Sequence, residues 1–256
     1  MTDQDGFRVE TADGVARITL DVPGKLNRVS MAARDELAQV FADLGRDDAV
    51  RAVVLAGDGD AFTAGGDIAG FLQREPEEVS RLAWNVAAPE RCPKPVIARL
   101  HGYAFGVGLE LALACDFRIA STELQIALPE IKLGMIPGSG GTQRLARLVG
   151  LGRAKDIIMR GRRVNAEEAL QLGLVTEVVG VDDLDAAVQR LVDELGELSP
   201  LALSTAKRVL NHVYDAPLHM GLEIEGFAYG MLRSSHDFRE GVEAFGEKRK
   251  PEFDGT

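Results

Sequence analysis

The continuous apolar run VRAVVLAG, residues 50–57, places the strongest limit on how this chain can fold. It does not alternate apolar and polar residues, as a strand with one face in solvent does. A run of this kind is typical of a strand that is buried on both faces. The run PVIARLHG, residues 95–102, has a similar character. Both strands need packed structure on each side, which favours a sheet covered by helices.

Strand and helix patterns alternate around these runs as far as about residue 180. The stretch FRVETADGVARITLD predicts two strands joined by a turn at Asp13-Gly14. A helix is predicted after Ser30, a candidate N-cap. One face of this helix is apolar and consists of Leu37, Val40, Phe41 and Leu44. Further along, residues 74–90 and GGTQRLARLVG predict helices, and DFRIAS, LQIAL and LGLVTEVV predict strands. The alternation predicts an α/β core.

Four helical patterns in succession follow the α/β portion. They are DLDAAVQRLVDELGEL, PLALSTAKRVLNHVY, GLEIEGFAYGMLRS and DFREGVEAFGEKR. Their apolar surface covers either a core of their own or a neighbouring subunit. No linker rich in Pro, Gly or Ser separates them from the preceding residues, so the sequence predicts one continuous body.

Charge and cysteine content argue against several classes of protein. The formal net charge of −11 disfavours binding to nucleic acid, RNA included, or to anionic membranes, since such proteins are normally basic. No apolar run reaches the length of a membrane span, and the acidic N-terminus does not resemble a secretory signal. The two cysteines, Cys92 and Cys115, lie in apolar contexts and form no disulfide framework. We therefore expect buried thiols in a cytoplasmic protein.

Two glutamates lie in apolar surroundings, which is costly unless they are compensated. Glu110 is the one acid in residues 105–115, where its neighbours are apolar or glycine. Glu130, in IALPEIKLG, also has apolar flanks. A buried carboxylate usually responds with a raised pKa, and two acids in one dry site suit general acid–base catalysis. A structural ion pair is the alternative explanation for each acid taken alone.

Two glycine-containing segments can present backbone amides to a ligand. Gly65 and Gly66, in AFTAGGDIAG, allow the backbone to approach a ligand closely. Residues 106–108 precede a compact apolar helix, and the first N–H groups of a helix are unpaired. Val107 and Glu110 face the same volume if both lie in the first helical turn. Two amides that converge on one oxygen form an oxyanion hole, whereas tight turns are the other explanation for these glycines.

Other glycine and histidine motifs do not fit this sequence. GVGLEL lacks the third glycine of a dinucleotide-binding fingerprint, and GMIPGSGGT lacks the lysine of a P-loop. There is no G-x-S-x-G elbow. The four histidines have no metal-ligand spacing.

Five segments together resemble the enoyl-CoA hydratase/isomerase, or crotonase, family. They are AFTAGGDI, GYAFGVGLELALACD, LPEIKLGMIPGSGGTQRL, LGLVTEVV and AFGEKRKPEF, and the resemblance extends from about residue 8 to 253. It implies a spiral of ββα units, residues 1–195, that carries an acyl-CoA site. Residues 196–256 are then a helical trimerisation region, and the implied assembly is a homotrimer or a dimer of trimers.

The resemblance also implies a role for individual residues. Gly66 and Val107 donate the amides of the oxyanion hole, Glu110 and Glu130 match the two catalytic acids, and Gly138 helps to hold the reacting water. The implied substrate- and CoA-binding residues are Lys25, Leu26, Ala64, Gly66, Asp67, Ile68, Phe245 and Lys248. Coenzyme A is part of the substrate, so the resemblance implies no separate cofactor and no metal.

The sequence departs from the family pattern at two places. The family often has Asn-Ala-Leu where this chain has Asn27-Arg28-Val29, which predicts a change at the entrance near the nucleotide. Val107 stands where glycine is frequent, and its branched side chain takes up space and restricts the backbone. We therefore expect a reshaped acyl pocket.

Hydration of a 2-enoyl-CoA thioester is the reaction that these residues favour, because both acids are present. Isomerisation of a double bond, or a dehydratase, hydrolase or lyase reaction on a specialised acyl-CoA, is the alternative within the family. A non-catalytic subunit that binds CoA esters is the alternative from another class, and the two intact acids argue against it.

Overall fold

A computed structural model of the chain describes residues 2–4 and 6–256. Its strands are β1 (Thr2–Gln4), β2 (Phe7–Ala12), β3 (Val15–Leu20), β4 (Ala52–Gly57), β5 (Val96–Leu100), β6 (Tyr103–Phe105), β7 (Phe117–Ser121), β8 (Gln125–Ala127), β9 (Arg163–Asn165) and β10 (Glu177–Val179).

Helices surround and connect these strands. They are α1 (Met31–Arg46), α2 (Ile68–Phe71), α3 (Pro76–Ser80), α4 (Leu82–Val86), α5 (Ala88–Arg91), α6 (Val107–Ala114), α7 (Gly141–Val149), α8 (Leu151–Arg160), α9 (Ala166–Gln171), α10 (Leu184–Gly196), α11 (Pro200–Asn211), α12 (Leu218–Leu232) and α13 (His236–Glu247). Glu130–Leu133 and Val181–Asp183 form short 3-10 helices. None of the helices in the described residues combines the length and the apolar character that spanning a bilayer requires.

The main sheet has the strand order β1-β2-β3-β4-β5-β7-β10. Strands β2 and β3 form the predicted hairpin, with positive φ at Asp13 (50°) and Gly14 (77°) in the turn. From β3 onward all neighbouring strands are parallel, and β4 pairs with β3 over its whole length. Helices alternate with these parallel strands, so the α/β prediction is confirmed.

Strand β4 is covered on both faces, which explains why its sequence is a continuous apolar run. All six of its residues are buried. Val53 and Leu55 belong to the larger hydrophobic core, which includes residues of α1, α6 and α7. Val54, between them, belongs to a second core with residues of α10. Because successive side chains of a strand point to opposite faces, both faces of β4 are covered.

A second, three-stranded sheet with the order β6-β8-β9 positions α6. Strand β6 leads into α6 through Gly106, whose φ of 53° lies in the region that glycine tolerates. Isolated parallel bridges join Val29 to Gly66 and Thr63 to Ala104. The loop that follows β4 is therefore fixed against both β6 and the segment that precedes α1.

The helix after Ser30 is confirmed, and other sequence predictions need correction. Ser30 Oγ accepts a hydrogen bond from Ala33 N at 3.0 Å at the start of α1. Residues 74–90 are helical as predicted, in three short helices. The strand predicted from LGLVTEVV is confined to β10, because Leu174 and Val175 pack into the core from a turn. Helices α8 and α9 and strands β1, β6 and β9 were not predicted.

The four predicted C-terminal helices are confirmed as α10 to α13. Buried Asp237 fixes the last of them: its carboxylate accepts hydrogen bonds from Ser199 Oγ (2.5 Å), Asp254 N (3.0 Å) and Gly255 N (3.1 Å). Helix α12 differs from the rest, since none of its residues is buried although it is rich in apolar side chains. The domain boundary at residue 195 stays a prediction.

Candidate active site

Glu110 lies in the first turn of α6 and is almost completely buried, with 2% of its surface exposed. One carboxylate oxygen, Oε1, accepts hydrogen bonds from Ser139 N at 2.7 Å and Gly141 N at 2.9 Å. These amides precede and begin α7, whose N-terminal dipole favours a negative charge. Burial raises the pKa of Glu110, and the two amide hydrogen bonds oppose that rise.

Glu130, the second predicted acid, begins the 3-10 helix that follows β8. It is part-buried, and its Oε2 is sealed from solvent without a hydrogen-bond partner in the described part of the chain. Burial raises the pKa of this carboxyl to about 7, and the negative charge of Glu110 contributes to the rise. Glu130 therefore holds a proton much more readily than an exposed glutamate does.

The two acids and the loop between them form one constellation. Met135 N donates to Glu130 O at 3.1 Å, and four residues later Ser139 N donates to the Glu110 carboxylate. Gly138, the residue predicted to position water, is exposed and immediately precedes Ser139. Gly141 approaches so closely that an added Cβ would lie 2.9 Å from Glu110 Oε1. The same loop therefore joins the backbone of Glu130 to the carboxylate of Glu110.

The predicted amide donors, Gly66 N and Val107 N, lie on adjacent segments. Thr63 and Ala104 form a parallel bridge, and Gly66 and Val107 each lie three residues further along. Phe105 N also donates to Thr63 O at 3.1 Å. Within residues 2–4 and 6–256, neither Gly66 N nor Val107 N has a hydrogen-bond acceptor. Both donors are available to a ligand at the end of α6 that carries Glu110.

The Val107 side chain lies at the start of α6, and the reshaped acyl pocket stays a prediction. It is 4% exposed and belongs to the larger hydrophobic core. Gly108, the next residue, packs closely on the loop after β4, since an added Cβ would lie 2.4 Å from Thr63 Cγ2 and 3.2 Å from Thr63 O. The isopropyl group therefore stabilises the start of α6 from the core side.

Several predicted CoA-binding residues meet at one edge of the site. Ala64 N donates to Leu26 O at 2.9 Å, and Asp67 and Ile68 follow Gly66 directly. Leu26 and Ile68 are exposed apolar residues, and Lys25 is exposed beside them. This edge offers an apolar surface next to a cation.

The unusual Asn27-Arg28-Val29 sequence has a structural explanation. The buried Asn27 side chain accepts a hydrogen bond from Val22 N and donates to Asp58 O and Ala61 O. Arg28 is exposed and pairs with Asp67 at 3.3 Å. The substitution of arginine at this place therefore adds an ion pair at the predicted entrance.

Phe245 and Lys248 are not brought to this site within one chain. They lie at the end of α13, and Gly241 of that helix approaches the Phe253 ring. Phe253 O in turn accepts a hydrogen bond from Arg51 at the start of β4. The loop that carries Gly66 follows the C-terminal end of β4. Helix α13 is therefore anchored at the opposite, N-terminal end of this strand.

Arg34 is a site residue that the sequence analysis missed. It is 4% exposed, and Nη2 would lie 2.5 Å from a Cβ on Gly66. Nη1 is 3.4 Å from Ser139 Oγ, and the guanidinium lies 5.3 Å from the centre of the Phe71 ring. A signal was present, because Arg34 shares the helical spacing of Leu37, Phe41 and Leu44 and thus the buried face of α1.

Comparison with known proteins agrees with the resemblance. The family model described as Enoyl-CoA hydratase/isomerase matches residues 10–256. The short-chain-enoyl-CoA hydratase of Clostridium acetobutylicum is 36% identical over 249 residues, covering 95% of each chain. The crotonyl-CoA hydratase of Syntrophomonas wolfei is 36% identical over 251 residues, covering 96% of each.

The fold comparison leads to the same family. The crystal structure of an enoyl-CoA hydratase from Bacillus anthracis superposes with a TM-score of 0.93 at 37% identity, covering 98% of this chain and 100% of that one. The fold is therefore the crotonase fold, an α/β core with a helical C-terminal region. The sequence, the fold and the full-length matches agree, and the chain belongs to the enoyl-CoA hydratase/isomerase family.

Proposed function

We propose that this protein is an enoyl-CoA hydratase that adds water across the 2,3 double bond of a 2-enoyl-CoA thioester. The observation that carries the proposal is the meeting of a buried acid and a part-buried acid, with different hydrogen bonding, around two free amides. Burial raises the pKa of Glu110, but two N–H bonds to one of its oxygens oppose that rise and stabilise its ionised form. Glu130 has a sealed, unpartnered oxygen and a pKa near 7, which favours its protonated form.

This difference indicates that Glu110 accepts a proton and that Glu130 donates one. Ionised Glu110 removes a proton from water as the water oxygen forms a bond to C3, with the Gly138 amide beside it. The electron pair of the double bond moves to C2 and onto the thioester oxygen, where Gly66 N and Val107 N stabilise the negative charge. Protonated Glu130 then delivers its proton to C2. The product is the 3-hydroxyacyl-CoA, and solvent exchange returns both acids to their starting forms.

Coenzyme A is bound as part of the substrate, and no separate cofactor enters this scheme. Lys25, Leu26, Ala64, Asp67 and Ile68 form the edge proposed to hold the nucleotide and pantetheine. Residues 196–256 are proposed as an oligomerisation region in a homotrimer or a dimer of trimers. Phe245 and Lys248 then contribute to the CoA site of a neighbouring subunit. In their own chain they lie near the N-terminal end of β4, whereas the CoA site lies beyond its C-terminal end.

The test is turnover of crotonyl-CoA by the wild type and by Glu130→Gln, with the products read by mass spectrometry. We expect the wild type to form a product heavier by one water. Glu130→Gln removes the proton donor and lowers kcat by about 100-fold or more, while binding of the CoA ester is largely retained. Glu123→Gln, at an exposed position, is the matched control and keeps wild-type turnover.

Two results contradict the proposal. Wild-type turnover by Glu130→Gln refutes the assignment of acid and base. Conversion of a 3-enoyl-CoA without gain of water, in the absence of crotonyl-CoA hydration, assigns the site to isomerisation, which one carboxylate can perform.

A further inference from the structure

Arg34 is a buried cation whose hydrogen-bonding capacity is largely unused. A guanidinium has five N–H donors. In the described residues its one hydrogen bond is the 3.4 Å contact from Nη1 to Ser139 Oγ. Nε is sealed without a partner, and Nη2 also lacks one. Burial without an acceptor lowers the pKa of the guanidinium, so the unbound site carries an unfavourable cation.

Charge balance with the two glutamates does not account for this arrangement. Arg34 feels the negative potential of Glu110 and Glu130. However, no carboxylate oxygen of the described residues lies within 4.0 Å of its nitrogens. Glu110 Oε1 already accepts two amide hydrogen bonds. A buried ion pair between Arg34 and either acid is therefore not formed, and the donors remain open.

The position of Arg34 places these donors along the reacting part of a ligand. Nη2 borders the backbone of Gly66, the proposed oxyanion donor, and Nη1 borders Ser139, whose amide holds Glu110. The guanidinium thus spans the distance between the thioester oxygen and the acid that activates water. A cation–π contact with the Phe71 ring, 5.3 Å from its centre, helps to hold the guanidinium in this position. An acyl chain bound between these groups passes beside the guanidinium.

We propose that Arg34 recognises a second carboxylate on the acyl chain, and that the substrate class is the CoA thioesters of short dicarboxylic 2-enoic acids. The inference rests on the proposed function, since it requires the thioester to bind at Gly66 and Val107. A carboxylate accepts two parallel N–H bonds from arginine and supplies the missing counter-charge. A neutral chain of the same length leaves those donors unsatisfied.

The test is binding of two saturated thioesters that cannot be hydrated, glutaryl-CoA and butyryl-CoA, measured by calorimetry at pH 7.5. The two ligands differ by one carboxylate. We expect glutaryl-CoA to bind the wild type about tenfold to 100-fold more tightly, the range for hydrogen bonds to a charged group. In Arg34→Met this preference falls at least tenfold, and Arg34→Lys gives an intermediate ratio because a point charge replaces the planar fork.

Arg153→Met is the matched control, because it removes an exposed arginine of α8 that lies outside the proposed site. It leaves the binding ratio unchanged. Equal binding of the two thioesters by the wild type overturns the inference, and this arm does not depend on the folding of any variant. A preference that persists in Arg34→Met also overturns it. Failure of the wild type to bind either thioester refutes the proposed function itself, and the inference with it.

Discussion

The chemistry at the residue scale depends on what each carboxylate touches as well as on its burial, which raises the pKa of both acids. Glu110 is the more buried acid, yet its Oε1 accepts two backbone N–H bonds. Glu130 is less buried, but one of its oxygens is sealed and unpartnered. Hydrogen bonds to the charged form favour ionisation, and burial without them favours the neutral acid. Two glutamates can therefore take opposite roles in one site.

The raised pKa of Glu130 predicts a pH dependence of stability. The folded state holds this proton up to a pH of about 7, whereas the unfolded chain releases it near the ordinary glutamate pKa of 4.5. The folded state thus binds more protons between these values, and the free energy of unfolding falls as the pH rises through this window. We expect Glu130 to contribute about 2 kcal/mol to the fall, less than the full shift implies because water screens a part-buried carboxylate.

Urea unfolding of the wild type and of Glu130→Gln between pH 4.5 and 8 measures this contribution. The neutral amide cannot titrate, so the difference in unfolding free energy between the two proteins changes across the window and is constant above it. Parallel pH profiles would show that Glu130 titrates normally in the folded state.

At the scale of the element, α6 is a short helix fixed at both ends. It has eight residues, all buried, and its N-terminus carries the Val107 amide and Glu110. Its C-terminus is held by Arg118 of β7, whose Nη1 donates to Ala112 O (3.2 Å) and Cys115 O (2.7 Å). Arg118 Nε also donates to Leu174 O at 2.7 Å. A cation at this end interacts favourably with the helix dipole.

Arg118→Met tests the importance of this anchor. The substitution keeps an unbranched side chain but removes a donor from three buried carbonyl oxygens, of which Ala112 O still accepts from Cys115 N. We expect the free energy of unfolding in urea to fall by about 2–4 kcal/mol. Arg153→Met, at an exposed position of α8, is the control and changes it by less than about 0.5 kcal/mol. An unchanged midpoint for Arg118→Met would mean that water or other groups satisfy those carbonyls.

At the scale of the whole molecule, the C-terminal helices leave a large apolar surface uncovered. The exposed apolar residues of α12 are Leu218, Met220, Leu222, Ile224, Phe227, Tyr229 and Met231. Single exposed apolar residues are common, but a whole helix of them marks an interaction surface. This surface supports the proposed self-association through residues 196–256.

Light scattering of the wild type and of Phe227→Asp tests this association. Phe227 is 80% exposed in one chain, so a charge there costs little in the monomer and much in an apolar interface. We expect a trimer, or a hexamer built from trimers, for the wild type and smaller species for Phe227→Asp. Phe227→Leu keeps the apolar surface and the assembly. A monodisperse wild-type monomer would contradict the trimer.

The sequence alone was sufficient where local patterns decide the outcome. The apolar run of β4 predicted a strand covered on both faces, Ser30 predicted the start of α1, and four helical patterns predicted α10 to α13. In residues 105–115, glycines close to a single acid indicated a backbone donor and a carboxylate on one short helix. The resemblance to the family indicated Glu130 as the second acid. These features depend on neighbours in the chain, so they can be read from spacing and residue type.

The tertiary structure decided the features that depend on residues far apart in the sequence. Arg34 lies beside Gly66 and Ser139 because α1, the loop after β4 and the loop before α7 meet, and no spacing within α1 encodes that meeting. The different hydrogen bonding of Glu110 and Glu130 arises from amides 29 and 31 residues beyond Glu110. Anchoring of Phe253 to Arg51 separates α13 from the site of its own chain. Long-range packing sets burial and hydrogen bonding, and these determine protonation and the availability of donors.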